Sequence, residues 1–229
     1  MKKTLLTLAA VSALSMSAQA EQFWADNSIT ILSGADYEFT DETITTMTLE
    51  HVSGHSWGGV FAFVDRLNGG GYTETYMEVS PKYTLAKMEG LVSSVNAAFT
   101  LESGQNAFGG FDNHLVGVGA DLKVPGLDFA SATIFRALND DGEDDNQLTV
   151  TYGFSSGNFS IDGFMDYRFG NDVKEDHIHL NPQISYNIGP MIGTKSKVKV
   201  GIEYSNWTNQ FGIDGKDQSA VSLLLKAHL

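Results

Sequence analysis

From residue 28 to the end of the chain, apolar and polar residues alternate with a period of two. Successive side chains of a β-strand point to opposite faces, so such alternation gives each strand one apolar and one polar face. Four segments show it clearly. In residues 114–124, Val116, Val118, Ala120 and Leu122 oppose Gly117, Gly119, Asp121 and Lys123. In residues 147–155, Leu148, Val150, Tyr152 and Phe154 oppose Thr149, Thr151 and Gly153. In residues 177–188, Ile178, Leu180, Ile184 and Tyr186 oppose His177, His179, Asn181, Gln183 and Ser185. In residues 197–207, Val198, Val200, Ile202 and Tyr204 oppose Lys199, Gly201, Glu203 and Ser205. Weaker alternation marks residues 28–39, 44–52, 57–67, 72–80, 91–102, 127–138, 159–169 and 219–229.

These segments number about twelve, each close to the ~9–11 residues that a tilted strand needs to cross a hydrocarbon layer. The expected fold class is all-β, a transmembrane antiparallel β-barrel of about 12 strands, because closure satisfies every backbone group inside lipid. A secreted β-sandwich alternates in the same way and is the competing reading. The last segment alternates through Val221, Leu223 and Leu225 but ends in Leu229, where such barrels usually carry an aromatic residue.

The start of the chain fixes the domain plan. Lys2 and Lys3, the apolar run to Met16 and the Ser17-Ala18-Gln19-Ala20 stretch read as a secretory signal peptide over residues 1–20. Residues 21–229 then form one domain. No later window of about 18 apolar residues offers a transmembrane helix. The absence of cysteine leaves an exported chain to rely on a closed sheet or a sizeable core. The net charge of −14 argues against a nucleic-acid partner.

With both termini on one side, connections after even strands should be short and those after odd strands longer. Pro125-Gly126, Ser156-Gly157 and residues 53–56 fit the short class. Residues 103–111, 139–146, 170–176 and 208–218 fit the long one. Residues 81–90 and 189–196 are longer than the rule expects.

Four stretches resemble one family in matching order. They are Met77-Glu78-Val79-Ser80-Pro81-Lys82-Tyr83, Leu115-Val116-Gly117-Val118-Gly119-Ala120-Asp121, residues 160–170, and residues 177–187 followed by Val200-Gly201-Ile202-Glu203-Tyr204. Together the set is similar to the nucleoside-specific channel-forming outer-membrane porins, the Tsx family with its OmpK relatives. The resemblance implies a twelve-stranded barrel in the Gram-negative outer membrane and passive nucleoside uptake, sometimes with use as a phage receptor.

A lumen that passes a flat solute needs aromatic faces for a base and polar groups for a sugar. Stacking supplies ~1–3 kcal/mol per base, and several weak sites in series suit conduction. Face assignment gives candidates. Trp57, Phe61, Phe63 and Asp65 share one face of the third segment, although the opposite orientation would put its aromatics in lipid. Tyr76 sits with Glu78, and Phe164 with Asp166 and Arg168. Glu50 and Glu203 each oppose apolar neighbours. Carboxylates could instead pair with Arg136, Arg168 or Lys199 as a structural network. Trp24, Trp207 and Phe211 fall near segment ends and read as interfacial girdle residues.

Other motifs point elsewhere. Gly54-His55-Ser56-Trp57-Gly58 matches a nucleophile elbow, but that motif works on a strand-to-helix turn, and a strand is expected to follow. The acidic run from Asp140 to Asn146 lacks the ligand spacing of an EF-hand. His177 and His179 read as a polar pair facing the lumen. No catalytic residue, metal or cofactor is expected. The expected partners are nucleosides or other small solutes, outer-membrane lipid and lipopolysaccharide, with phage in the resemblance. Two alternatives stay open: a surface protein with little transport, and a barrel enzyme acting on lipids.

Overall fold

A computed structural model describes residues 21–40, 42–140 and 142–229. The proposed signal peptide lies outside the described residues. Twelve strands run in chain order: β1 (Gln22–Ala35), β2 (Ile44–His55), β3 (Gly58–Gly69), β4 (Tyr72–Lys87), β5 (Val92–Asn106), β6 (Gly109–Leu122), β7 (Phe129–Leu138), β8 (Asp145–Ser156), β9 (Phe159–Phe169), β10 (His177–Asn187), β11 (Val198–Thr208) and β12 (Gln218–His228). Each pairs antiparallel with its sequence neighbour. β1 pairs with β12, from Ser28 opposite His228 to Ala35 opposite Val221, so the sheet closes into a barrel. The sandwich reading is thereby overturned: closure leaves no edge strand.

Register fixes what each face carries. On β12, Ser222, Leu224 and Lys226 are buried, whereas Val221, Leu223 and Leu225 are exposed, Leu223 to 71 %. Leu225 lies opposite Ile31, and Val118 opposite Ile134, all four on the outer surface. That surface is a continuous apolar belt, which only lipid or another apolar partner can cover at acceptable cost. The buried set is largely polar, including Ser28, Thr30, Asn96, Glu102 and Gln147. The core is inverted relative to a water-soluble domain: polar groups line the centre and apolar groups the outside.

Two prolines sit inside strands, and Pro81 does so where a turn over residues 81–90 was expected. Pro81 pairs with Val60 of β3, but the β4–β5 ladder is interrupted between Val79 and Lys82. Pro182 pairs with Gly163 of β9, and the β10–β11 ladder is interrupted between Leu180 and Gln183. A proline has no N–H to donate, so each strand gives up one side of its ladder locally and continues.

The expected loop parity holds only in part. The β5–β6 connection is a tight hairpin in which Asn106 pairs with Gly109, not a long loop over residues 103–111. The β3–β4 hairpin turns on Gly70 and Gly71 with φ of 60° and 70°, the conformation a two-residue turn between twisted strands needs. At the end that holds the chain termini, β10–β11 carries a longer connection with a short 3-10 turn, Gly189–Ile192. Ser56 occupies the β2–β3 turn, where its N–H donates to the Glu21 carbonyl, 2.9 Å, and a strand follows it.

Candidate functional site

The barrel interior has three distinct parts. The first is packed. Leu115, Phe135 and Ala137, with Ala98 against them, fill the side under β5–β7. Above them Arg168 reaches from β9 to Glu102 of β5, 3.5 Å, and to Asp145 at the start of β8, 3.7 Å. Asn113 donates to Glu102 as well, 3.1 Å. Of the three bases considered as carboxylate partners, Arg168 takes that role. Arg136 lies on the outward face of β7 and bonds Asn146 instead.

The second part is the wall made by β2–β4. Phe61, Phe63 and Asp65 lie opposite Val52, Glu50 and Thr48 on one side and Ser80, Glu78 and Tyr76 on the other. Glu50 lies opposite the buried Ser28, which places this whole set on the lumen face. Trp57, expected with them, lies instead in the β2–β3 turn, where its ring stacks on His55 of the outward face. The rings form a ladder: Phe61 to Phe63, 5.7 Å; Phe63 to Tyr76, 5.8 Å; Tyr76 to Phe111, 6.3 Å. These spacings are ordinary aromatic contacts. Carboxylates hold the ladder in place. The Tyr76 hydroxyl donates to Glu78, 2.6 Å, and Thr48 donates to Asp65, 2.5 Å. Glu50 accepts from Ser28 and pairs with Lys226 of β12, 3.2 Å.

The third part is the wall of β9–β11, which faces the second across the barrel. Phe164 meets His179 edge-on, 5.1 Å; His179 stacks on Trp207, 3.9 Å; Trp207 meets Phe211, 5.2 Å; Phe211 stacks on Phe39, 5.8 Å. Asp166 accepts from Thr149 and Gln147, and Glu203 from Gln183. This ladder corrects the girdle assignment. Trp207 is opposite His179 and Gln218 and points inward, while Phe211 packs on it from the β11–β12 loop. Trp24 has the parity of lumen-facing Asp26 and lays its ring over Gly54. Segment ends alone suggested a girdle; the parity of Trp207 with Glu203 and Ser205 was the signal that places it inward.

All ten candidate residues, Glu50, Phe61, Phe63, Asp65, Tyr76, Glu78, Phe164, Asp166, Arg168 and Glu203, project into the lumen. They fall into two facing groups rather than one cluster. Carboxylates also project inward from β1, β5, β6 and β8, at Asp26, Glu102, Asp121 and Asp145. Among the described residues, the lysines and arginine that project inward from the strands are Lys82, Lys87, Arg168, Lys199 and Lys226. The lumen is therefore acidic. Lys82 is held by Asp121, 2.5 Å, and Arg168 and Lys226 are held as described. In the acidic loop, Asp144 accepts from the Asn139 N–H, and Asp145 turns inward to Arg168; Asp141 lies outside the described residues. His177 and His179 both face the lumen, and His177 lies over Trp207, 6.1 Å.

No family model matches the sequence, and no curated protein matches it. Solved structures do. The KdgM porin shares the fold with a TM-score of 0.54 at 15% identity, over 87% of this chain and 98% of that one. The KdgM porin in complex with disordered oligogalacturonate gives 0.54 at 16% identity over the same shares. The NanC porin gives 0.52 at 12% identity, over 88% of this chain and 98% of that one. The likeness is one of fold: a closed twelve-strand barrel of porin type.

Proposed function

We propose that this protein is an outer-membrane channel for the passive diffusion of small solutes that carry a flat ring and no negative charge, nucleosides being the model case. The chain termini and the β2–β3 and β8–β9 turns face the periplasm, and the apolar belt meets outer-membrane lipid, with lipopolysaccharide on the outer side. The observation that carries the reading is the pair of facing ring ladders, each with carboxylates on the same strands. Rings offer a face to a base; carboxylates accept from sugar hydroxyls. Each contact is weak and the next is a few ångströms away, which favours passage over retention.

An acidic lumen does not suit a solute such as oligogalacturonate, the carboxylated sugar chain of the KdgM porin complex. Carboxylate-rich walls repel such a solute and concentrate neutral or cationic ones. Liposome swelling tests the proposal: adenosine and uridine should enter faster than disaccharides of similar size, and galacturonate should enter slowest. Equal rates for nucleosides and sugars would remove the substrate assignment.

A second reading rests on the packed part. Arg168 spans the lumen to Glu102 and narrows it, as a surface protein with little transport would require. Absence of any solute flux through a correctly folded barrel would favour that reading, with phage adsorption to the outer loops as its test.

A further inference from the structure

On β2 the face opposite Glu50 carries Leu49, His51, Ser53 and His55, and it points out of the barrel. Here polar side chains interrupt the apolar outer face beside the β2–β3 turn, at the edge of the belt. This row is bonded in one direction. His51 Nδ1 lies 2.8 Å from Asn27 Oδ1, on the neighbouring strand and in register with it. His51 Nε2 lies 2.9 Å from Ser53 Oγ, and Ser53 Oγ lies 2.9 Å from His55 Nε2. Asn27 Oδ1 can only accept, so the proton of a neutral His51 is on Nδ1 and its Nε2 is bare. Ser53 then donates its O–H to His51, and its oxygen accepts from the His55 Nε2–H. His55 Nδ1 is buried without a partner, and its ring stacks on Trp57, 5.3 Å.

Nucleophile, base and base-orienting amide in this connectivity are the parts of a serine hydrolase site, which is recognised by geometry and roles rather than by fold. We propose that Asn27, His51 and Ser53 form an esterase site on the outer wall of the barrel, acting on acyl esters of membrane lipid. The nucleophile is Ser53 and not Ser56, whose turn lacks a base. Ser53 attacks the ester carbonyl carbon as its proton passes to His51 Nε2. The carbon–oxygen bond to the lipid alcohol breaks, and the alcohol leaves with that proton. Water, deprotonated by His51, then releases the fatty acid and restores Ser53. Ser53 is 2% exposed in the resting arrangement, between the two imidazoles. The His55 Nε2–H, which now meets Ser53 Oγ, is the donor nearest to an ester oxygen brought to that atom. On the outer face His51 is bordered by Leu49, Ala62, Val64 and Leu229, apolar side chains against which an acyl chain can lie.

The test uses the purified, folded full-length barrel in detergent, with heat-modified migration as the check on folding. A fluorophosphonate probe should label Ser53, located by peptide mapping, and para-nitrophenyl palmitate should be hydrolysed. Ser53→Ala should abolish both. His51→Gln should lower the rate by about a hundredfold or more, and Ser56→Ala should leave it unchanged. No label on the folded wild-type protein, or hydrolysis that survives Ser53→Ala, overturns the proposal. Neither result bears on solute flux, so the channel reading stands or falls separately.

Discussion

The lumen walls under β5–β7 and under β2–β4 are built on the same strand geometry and are used in opposite ways. In the first, Leu115 and Phe135 are 1% and 7% exposed, and Arg168 ties the strands together from above. In the second, Phe61 is 38% exposed although it too points inward. One side behaves as a core and the other as a lining. A barrel of about twelve strands is wider than its side chains fill and narrower than an open aqueous pore. Packing one side solves the first problem and leaves a ring-lined path along the other.

That contrast can be broken from either side. The largest effect is expected at Arg168. Arg168→Ala leaves Glu102 and Asp145 buried without their cation and should cost about 3 kcal/mol or more, read as a lowered urea midpoint in detergent. Leu115→Ala opens a cavity in the packed side and should cost about 3 kcal/mol, again in stability, with little change in solute preference. Phe61→Ala with Phe63→Ala should do the reverse. Nucleoside entry should fall about tenfold relative to sugars, a loss of ~1–3 kcal/mol of stacking, while the unfolding midpoint shifts less than in the Leu115 variant. Trp207→Ala should give a smaller loss of nucleoside preference, because His179 and Phe211 still offer rings on that wall. If the Leu115 variant alters preference and the Phe61 and Phe63 variants alter only stability, the division between core and lining is wrong.

Much of this was legible in the sequence because a membrane barrel writes its fold in parity. A one-residue change of face exchanges lipid for lumen, so Val116, Val118 and Ala120 against Gly117, Gly119 and Asp121 leave little choice. The inward placement of Phe61, Phe63 and Asp65 followed from the carboxylate, since Asp65 facing lipid would be unpaired in hydrocarbon. Connections were less legible. Residues 103–106 and 109–111 contain three glycines and read as loop, yet they extend β5 and β6 beyond the apolar belt, where parity no longer has a hydrophobic face to mark. Contacts between distant segments were not legible at all. Nothing in the sequence couples Arg168 to Glu102, or Phe39 to Phe211; only closure of the barrel brings them together. His51, Ser53 and His55 share one face by parity alone, but the bonds that link them to Asn27 exist only once β1 and β2 are in register.

The claim on which the account turns is that the open path is acidic and lined by rings. The reversal potential of a single channel in a planar bilayer, under a tenfold KCl gradient, measures the first half directly. The account predicts cation selectivity, reduced when Glu50 and Glu78 are changed to glutamine. Anion selectivity in the unmodified protein would contradict it.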